Sequence, residues 1–90
     1  MRLDKFLKVS RLIKRRTLAK EVSDQGRIEI NGKEAKASST VKIGDELTLR
    51  LGGRRVTVRI ERIQETTRKE EAAEMYTIIK EEKVGYSEEQ

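Results

Sequence analysis

The stretch RRTLAKEVSDQGRIEING, residues 15–32, changes its period halfway along. In its first part, residues 15–25, Leu18, Ala19 and Val22 fall at the i, i+3, i+4 spacing of one helical side. Gly26 then stands where a helix ends, because glycine enters the left-handed region without a Cβ penalty. Beyond it the period drops to two. Ile28 and Ile30 alternate with Arg27, Glu29 and Asn31, the pattern of a half-buried strand. Asn31-Gly32 predicts a tight turn, since both residues tolerate positive φ. A second short strand is expected near Lys33 to Ala35. A helix that stops on glycine and runs into a hairpin points to the α+β class.

Toward the N-terminus, LDKFLKV at 3–9 puts Leu3, Phe6, Leu7 and Val9 on one helical side, with Asp4, Lys5 and Lys8 elsewhere. Asp4, near the start of this helix, suits the helix dipole. SRLIK at 10–14 reads as a connection whose Leu12 and Ile13 plug into the core. Toward the C-terminus, Ser38, Ser39 and Thr40 form a polar connection, and Ile43-Gly44-Asp45 a second turn. ELTLRL at 46–51 and RRVTVRIERI at 54–63 read as strands joined by Gly52-Gly53, with Leu47, Leu49, Leu51, Val56, Val58 and Ile60 inward. Residues 66–83 return to helical spacing through Ala72, Met75, Tyr76 and Ile79, so a helix frayed at its Glu-rich ends is expected there. The expected organisation is a domain over 1–63, a helical extension over 64–83 and a disordered tail over 84–90. The architecture is a helix-loop-helix on a small, mainly antiparallel sheet.

Ninety residues suffice for one domain and not for two. Cys and His are both absent, which removes thiolate nucleophiles, imidazole bases and the usual zinc ligands together. No disulfide can form, which fits a reducing cytosol. No apolar run has the length of a signal peptide or a bilayer span. The expectation is a cytoplasmic, monomeric protein that is not an enzyme, needs no cofactor or metal, and has no membrane partner.

Charged residues make up 41% of the chain and the net charge is +5, but its distribution says more. Residues 1–36 carry eleven Lys/Arg against five Asp/Glu, residues 37–63 six against three, and residues 64–90 four against eight. A basic front with an acidic end predicts a polyanionic partner at the front. The first sixteen residues hold Arg2, Lys5, Lys8, Arg11, Lys14, Arg15 and Arg16 against one acid, Asp4. Lys20, Arg27, Lys33 and Lys36 continue the series. Arg16 and Lys20, four apart, share a helix side. Lys supplies phosphate with a point charge and Arg with a bidentate fork, so these residues and Asp4 are the candidate RNA-binding set. For Asp4 two roles stand open: stabilising the helix start, or orienting a nearby Arg.

Aromatics are only 3%, and Phe6 belongs to the core, so base-by-base stacking is not the expected mode. Backbone and shape are. GGRR at 52–55 lacks the P-loop pattern and is a hairpin tip. With no His nearby, the pairs Glu70-Glu71 and Glu81-Glu82 read as solvated faces.

RLDKFL at 2–7, R-x-x-A from Arg16 to Ala19, G-R-I-x-I-N-G at 26–32 and K-x-G-D at 42–45 together resemble the S4 RNA-binding domain, across residues 1–51. Without a larger attached protein, and with KRRTLA at 14–19, the chain resembles the free-standing heat-shock-protein-15 group. AAEMYTIIKEEK at 72–83 makes it more similar still to a shorter Gram-positive ribosome-quality-control group. By motif position, Arg2 and Asp4 match the family's N-terminal RNA-contact segment and Arg16 its helix-two arginine. Two features depart: Arg15 stands where the family often has a Ser or Thr cap, and the tryptophans and long basic tail of the heat-shock group are missing.

The resemblance implies binding to large-subunit rRNA and to peptidyl-tRNA on an obstructed large ribosomal subunit. It also implies support for template-free tailing of the stalled chain, beside a tailing factor on the same subunit. Two RNA-based alternatives stay open: a generic S4 module for another structured RNA, and a heat-shock-type large-subunit recycling factor. A third, from another class, is a protein adaptor working through the acidic C-terminal segment.

Overall fold

The computed structural model describes residues 1–83; the expected tail at 84–90 lies outside the described residues. Two helices come first, α1 (Leu3–Val9) and α2 (Arg16–Asp24). The strands β1 (Ile28–Ile30), β2 (Lys33–Glu34), β3 (Glu46–Leu51) and β4 (Arg54–Ile60) follow. A short helix α3 (Lys69–Ala72) runs through one 3₁₀ turn into β5 (Tyr76–Lys83). The strands form one antiparallel sheet of order β2-β1-β3-β4-β5. The α+β class and the helix-loop-helix on a small antiparallel sheet are as expected.

The period change at Gly26 becomes a Schellman ending of α2. Gly26 has φ +78°, its N–H reaches the Ser23 carbonyl at 3.0 Å, and the Arg27 N–H reaches that of Val22 at 3.2 Å. The chain leaves this corner directly into β1. Asn31, at φ +52°, carries the turn to β2 and does a second job. Its amide donates to Asp45 Oδ1 at 3.1 Å and its Oδ1 accepts from the Glu46 N–H at 2.9 Å. Asp45 in turn accepts from the Lys42 N–H at 3.0 Å. The N-G and K-x-G-D motifs are thus one hydrogen-bonded joint that sets the register of β1 against β3.

The core lies between the helix pair and one face of the sheet. Leu3, Phe6 and Leu7 from α1 meet Ala19 and Val22 from α2, and beneath them Ile28, Leu47, Leu49, Val58 and Ile60. Ile13 is buried in it, and Leu12 packs against its edge. Burying side chains of this size yields about 1.5–3 kcal/mol each, the main term holding the layers together.

Four expectations need correction. Leu18 is 48% exposed, so the inward stripe of α2 is Ala19, Val22 and Ser23. Ser23 can be buried because its hydroxyl donates to the Ala19 carbonyl at 2.7 Å. Asp4, expected away from the apolar side of α1, is itself buried.

The largest correction concerns 66–83. Ala72 and Met75 do pack inward at helical spacing, but the helix ends there and Tyr76–Lys83 is a strand. Thr77, Ile78 and Ile79 are a β-branched run, and β4 offers a free edge. Val58 pairs with Ile78 and Ile60 with Tyr76, with a register shift between Thr57 and Val58. Glu81 and Glu82 are not a solvated helix face either. They pair with Arg54 at 2.8 Å and Arg55 at 3.4 Å across the strands.

Candidate nucleic-acid interface

The chain start is fixed by backbone before any side chain is considered. The Leu3 N–H reaches the Ser39 carbonyl at 2.7 Å, the Asp4 N–H that of Ala37 at 3.2 Å, and the Val41 N–H that of Met1 at 2.8 Å. Arg2 therefore sits against Thr40 as a single antiparallel bridge. The connection 10–15 brings α2 back beside α1, so Arg16, its first residue, comes opposite Asp4.

Asp4 is the centre of this arrangement. Arg2 Nε donates to Oδ1 at 3.2 Å and Arg2 Nη2 to Oδ2 at 3.3 Å, a bidentate fork. Arg16 Nη2 lies 3.5 Å from Oδ1, and the Lys5 N–H donates to the same oxygen at 2.8 Å. The carboxylate side chain is 4% exposed, whereas those of Arg2 and Arg16 are 51% and 49% exposed. The anion is thus beneath and the two guanidinium groups face solvent. Burial pushes the Asp4 carboxyl upward, but the Arg2 hydrogen bond, the Arg16 charge and the Lys5 N–H outweigh it and hold it below its ordinary value. Two arginines are thus held on one carboxylate with guanidinium donors still open to water, an arrangement chemically suited to an anion such as phosphate. The geometry fits both roles considered for Asp4: it lies in the first turn of α1 and accepts the Lys5 N–H, and it also holds Arg2 and Arg16.

The other candidates divide into groups. Lys20 is exposed one turn along α2 from Arg16. Lys8, Arg11 and Lys14 line a cleft of about 430 Å³ beside the end of α1, together with Lys69. Lys5 is instead engaged with Glu65, and its hydrogen bond and charge hold that carboxylate below its usual value. Arg15 occupies the N-cap position of α2 without a side-chain capping bond. Lys36 adjoins the 37–41 segment that receives the chain start, its N–H on Ser39 Oγ at 2.9 Å. Arg27 and Lys33 lie beyond the far end of α2, and among the described residues no hydrogen bond or ion pair joins them to the cluster. Lys69 was missed in the sequence because its neighbours Glu70 and Glu71 make that segment read as acidic.

The S4 domain family matches residues 1–47. The "RQC P-site tRNA stabilizing factor" of Bacillus subtilis (strain 168) is 74% identical over 85 residues, 94% of this chain and 99% of that protein. The protein of the same name from Listeria monocytogenes is 62% identical, over 97% of this chain and 95% of its own. The trimeric heat shock protein 15 of Vibrio cholerae superposes with a TM-score of 0.81 at 39% identity, covering 87% of this chain and 80% of that one. The chain belongs to the S4 domain family, within the group of small proteins that contains these relatives.

Proposed function

We propose that this protein is a non-catalytic RNA-binding factor of ribosome-associated quality control. It docks on the large ribosomal subunit, touches rRNA and peptidyl-tRNA, and holds the tRNA in register while the stalled chain is tailed. The tailing factor is a neighbour on the same subunit, and the work takes place in the cytoplasm. The observation that carries the reading is the Arg2–Asp4–Arg16 cluster, a rigid cationic pair on a buried carboxylate. The names of relatives at 74% and 62% identity supply the tRNA half of it.

Such a factor acts by differential affinity: it stabilises the ribosomal state in which its phosphates are correctly spaced and leaves the others alone. Rigidity matters more here than total charge, because arginines oriented in advance lose less entropy on docking. The test is binding to purified large subunits carrying peptidyl-tRNA, against empty subunits. The intact chain should prefer the occupied particles. Arg16→Ala should lose about tenfold or more, as one charge-assisted contact of about 1.5–3 kcal/mol disappears. Equal affinity for both particles, or for an unrelated structured RNA, would favour the generic S4 module.

A further inference from the structure

The cleft beside α1 differs from the Arg2–Asp4–Arg16 cluster in what surrounds its cations. Its described lining is Lys8, Arg11, Lys14 and Lys69, four cations and nothing else. Among the described residues none of the four has an ion-pair partner. A carboxylate stands in the adjoining hollow, Glu65, and Lys5 already engages it.

Lys69 reaches this place by long-range contacts. Thr67 Oγ1 donates to the Val9 carbonyl at 2.6 Å, across 58 residues of sequence. The Lys5–Glu65 pair fixes the same segment two residues earlier. The Arg68 N–H then donates to Glu71 Oε1 at 3.2 Å and starts α3 with Lys69 as its first residue. Lys69 lies outside the residues matched by the S4 family, so that match does not account for it.

Arg11 adds a second, independent observation. α1 ends with Ser10 as its C-cap, and Arg11 follows at φ +62°. This is the position where helices favour glycine, because a side chain there strains the backbone. The chain holds an arginine in that conformation, with its N–H on the Lys8 carbonyl at 3.1 Å. Strain kept at a solvent-facing cation points to use of the side chain.

We propose that Lys8, Arg11, Lys14 and Lys69 form a second phosphate-binding cleft that takes the sugar–phosphate backbone of RNA beside the stretch seated on Arg2 and Arg16. The inference rests on the RNA-binding reading above. Among the described residues the lining has no aromatic side chain on which a base could stack, so backbone phosphate is the group that its four cations fit. It also explains the C-terminal segment: residues 64–69 bring a cation to α1 that the helix-loop-helix alone does not have.

The experiment uses the full chain, a fluorescent RNA stem-loop, and titrations at several salt concentrations. Each phosphate contact at 0.1 M salt contributes about 8-fold to affinity, from a log–log slope of about 0.9 per contact. The double variant Lys8→Gln/Lys69→Gln should lose about 8- to 60-fold and flatten the slope by about 1–2. Arg11→Gly should move two readouts in opposite directions: Tm rises by about 4–8 °C as strain is relieved, while RNA affinity falls about 8-fold. Variants that keep wild-type affinity and slope, while Arg16→Ala still loses binding, overturn the cleft and leave the RNA-binding reading standing. If Arg16→Ala is silent as well, the RNA-binding reading itself fails. Vesicles of phosphatidylglycerol and free tripolyphosphate serve as competitors. Cleft-dependent binding to either that is tighter than to the stem-loop would overturn the assignment to RNA backbone.

Discussion

Replacing Asp4 by Asn separates two views of the basic front. Counting charges, the variant gains +1 in a phosphate-binding surface and should bind RNA more tightly. The structure predicts weaker binding. Asp4 holds Arg2 through two hydrogen bonds of 3.2 and 3.3 Å and draws Arg16 to 3.5 Å. An amide of the same shape keeps one acceptor oxygen, which the Lys5 N–H already uses at 2.8 Å. Freeing two arginines costs about 0.5–1.5 kcal/mol each on docking, so about 1–3 kcal/mol together. Removing the anion returns about 0.7 kcal/mol, for a phosphate some 6 Å away in water-like dielectric. The net loss is about 0.3–2.3 kcal/mol, or roughly 2- to 50-fold in Kd. Fluorescence anisotropy with a labelled stem-loop RNA reads it directly. Tighter binding by Asp4→Asn would refute the orienting role and leave only a count of charges.

The same substitution has a stability signature with a definite pH window. Because the Asp4 carboxyl is held below its ordinary 3.8 in the fold, its charge stabilises the native state fully above about pH 4. That contribution is lost as pH falls through the depressed folded value. Both arginines are half exposed, which reduces the usual cost of breaking a buried pair to about 1–2 kcal/mol. Tm should drop by about 4–16 °C at neutral pH. The gap between wild type and Asp4→Asn should stay constant from pH 5 to 7 and close below pH 4. A gap that widened on acidification would contradict the direction of the shift.

Other outcomes follow from the same geometry. If about five phosphates are neutralised overall, log Kd against log salt should have a slope of about 3.5–4.5, and a flat response would favour a protein adaptor. Met75→Ala should cost about 2–5 kcal/mol in chemical denaturation, because Met75 is fully buried in the core; a silent change would mean that the C-terminal segment does not pack on the domain. Arg54→Ala at the hairpin tip should alter RNA affinity by less than about twofold, since Glu81 already holds this arginine at 2.8 Å. A tenfold loss there would move the interface to the sheet.

Legibility in the sequence followed the range of the interactions. The ends of α2 and the first hairpin could be read because Gly26, Asn31 and Gly32 act on their immediate neighbours. β5 could not be read. Glu, Lys, Ala and Met at 69–83 carry helical propensity, and only the open edge of β4, more than fifteen residues earlier, turns Tyr76–Lys83 into a strand. Leu18 was placed inward by the stripe rule, which has no way to rank it below Ser23, a polar residue satisfied by a helix carbonyl. At the site, the excess of cations was visible as composition. That Arg2 and Arg16 share one carboxylate depended on the return of the 10–15 connection, and that Lys69 joins Lys8 depended on the contact between Thr67 and Val9. Neither has a local signature.

The charge asymmetry of the sequence takes on a different meaning once the pairs are assigned. Every arginine between residues 50 and 62 has a glutamate partner: Arg50 with Glu29, Arg54 with Glu81, Arg55 with Glu82, Arg59 with Glu61 and Arg62 with Glu74. Three of those acids come from the acidic C-terminal third. Among the described residues, these three acids therefore offset positive charge of the sheet and its flank. On the helical side the pattern reverses. Arg2 and Arg16 share a single carboxylate, and Lys8, Arg11, Lys14, Lys20 and Lys36 have no ion-pair partner among the described residues. A net charge of +5 spread evenly would attract any polyanion from any direction. If the protein docks on RNA as proposed, unpaired cations on the helical side, set against paired arginines on β3 and β4, would steer that side toward the partner.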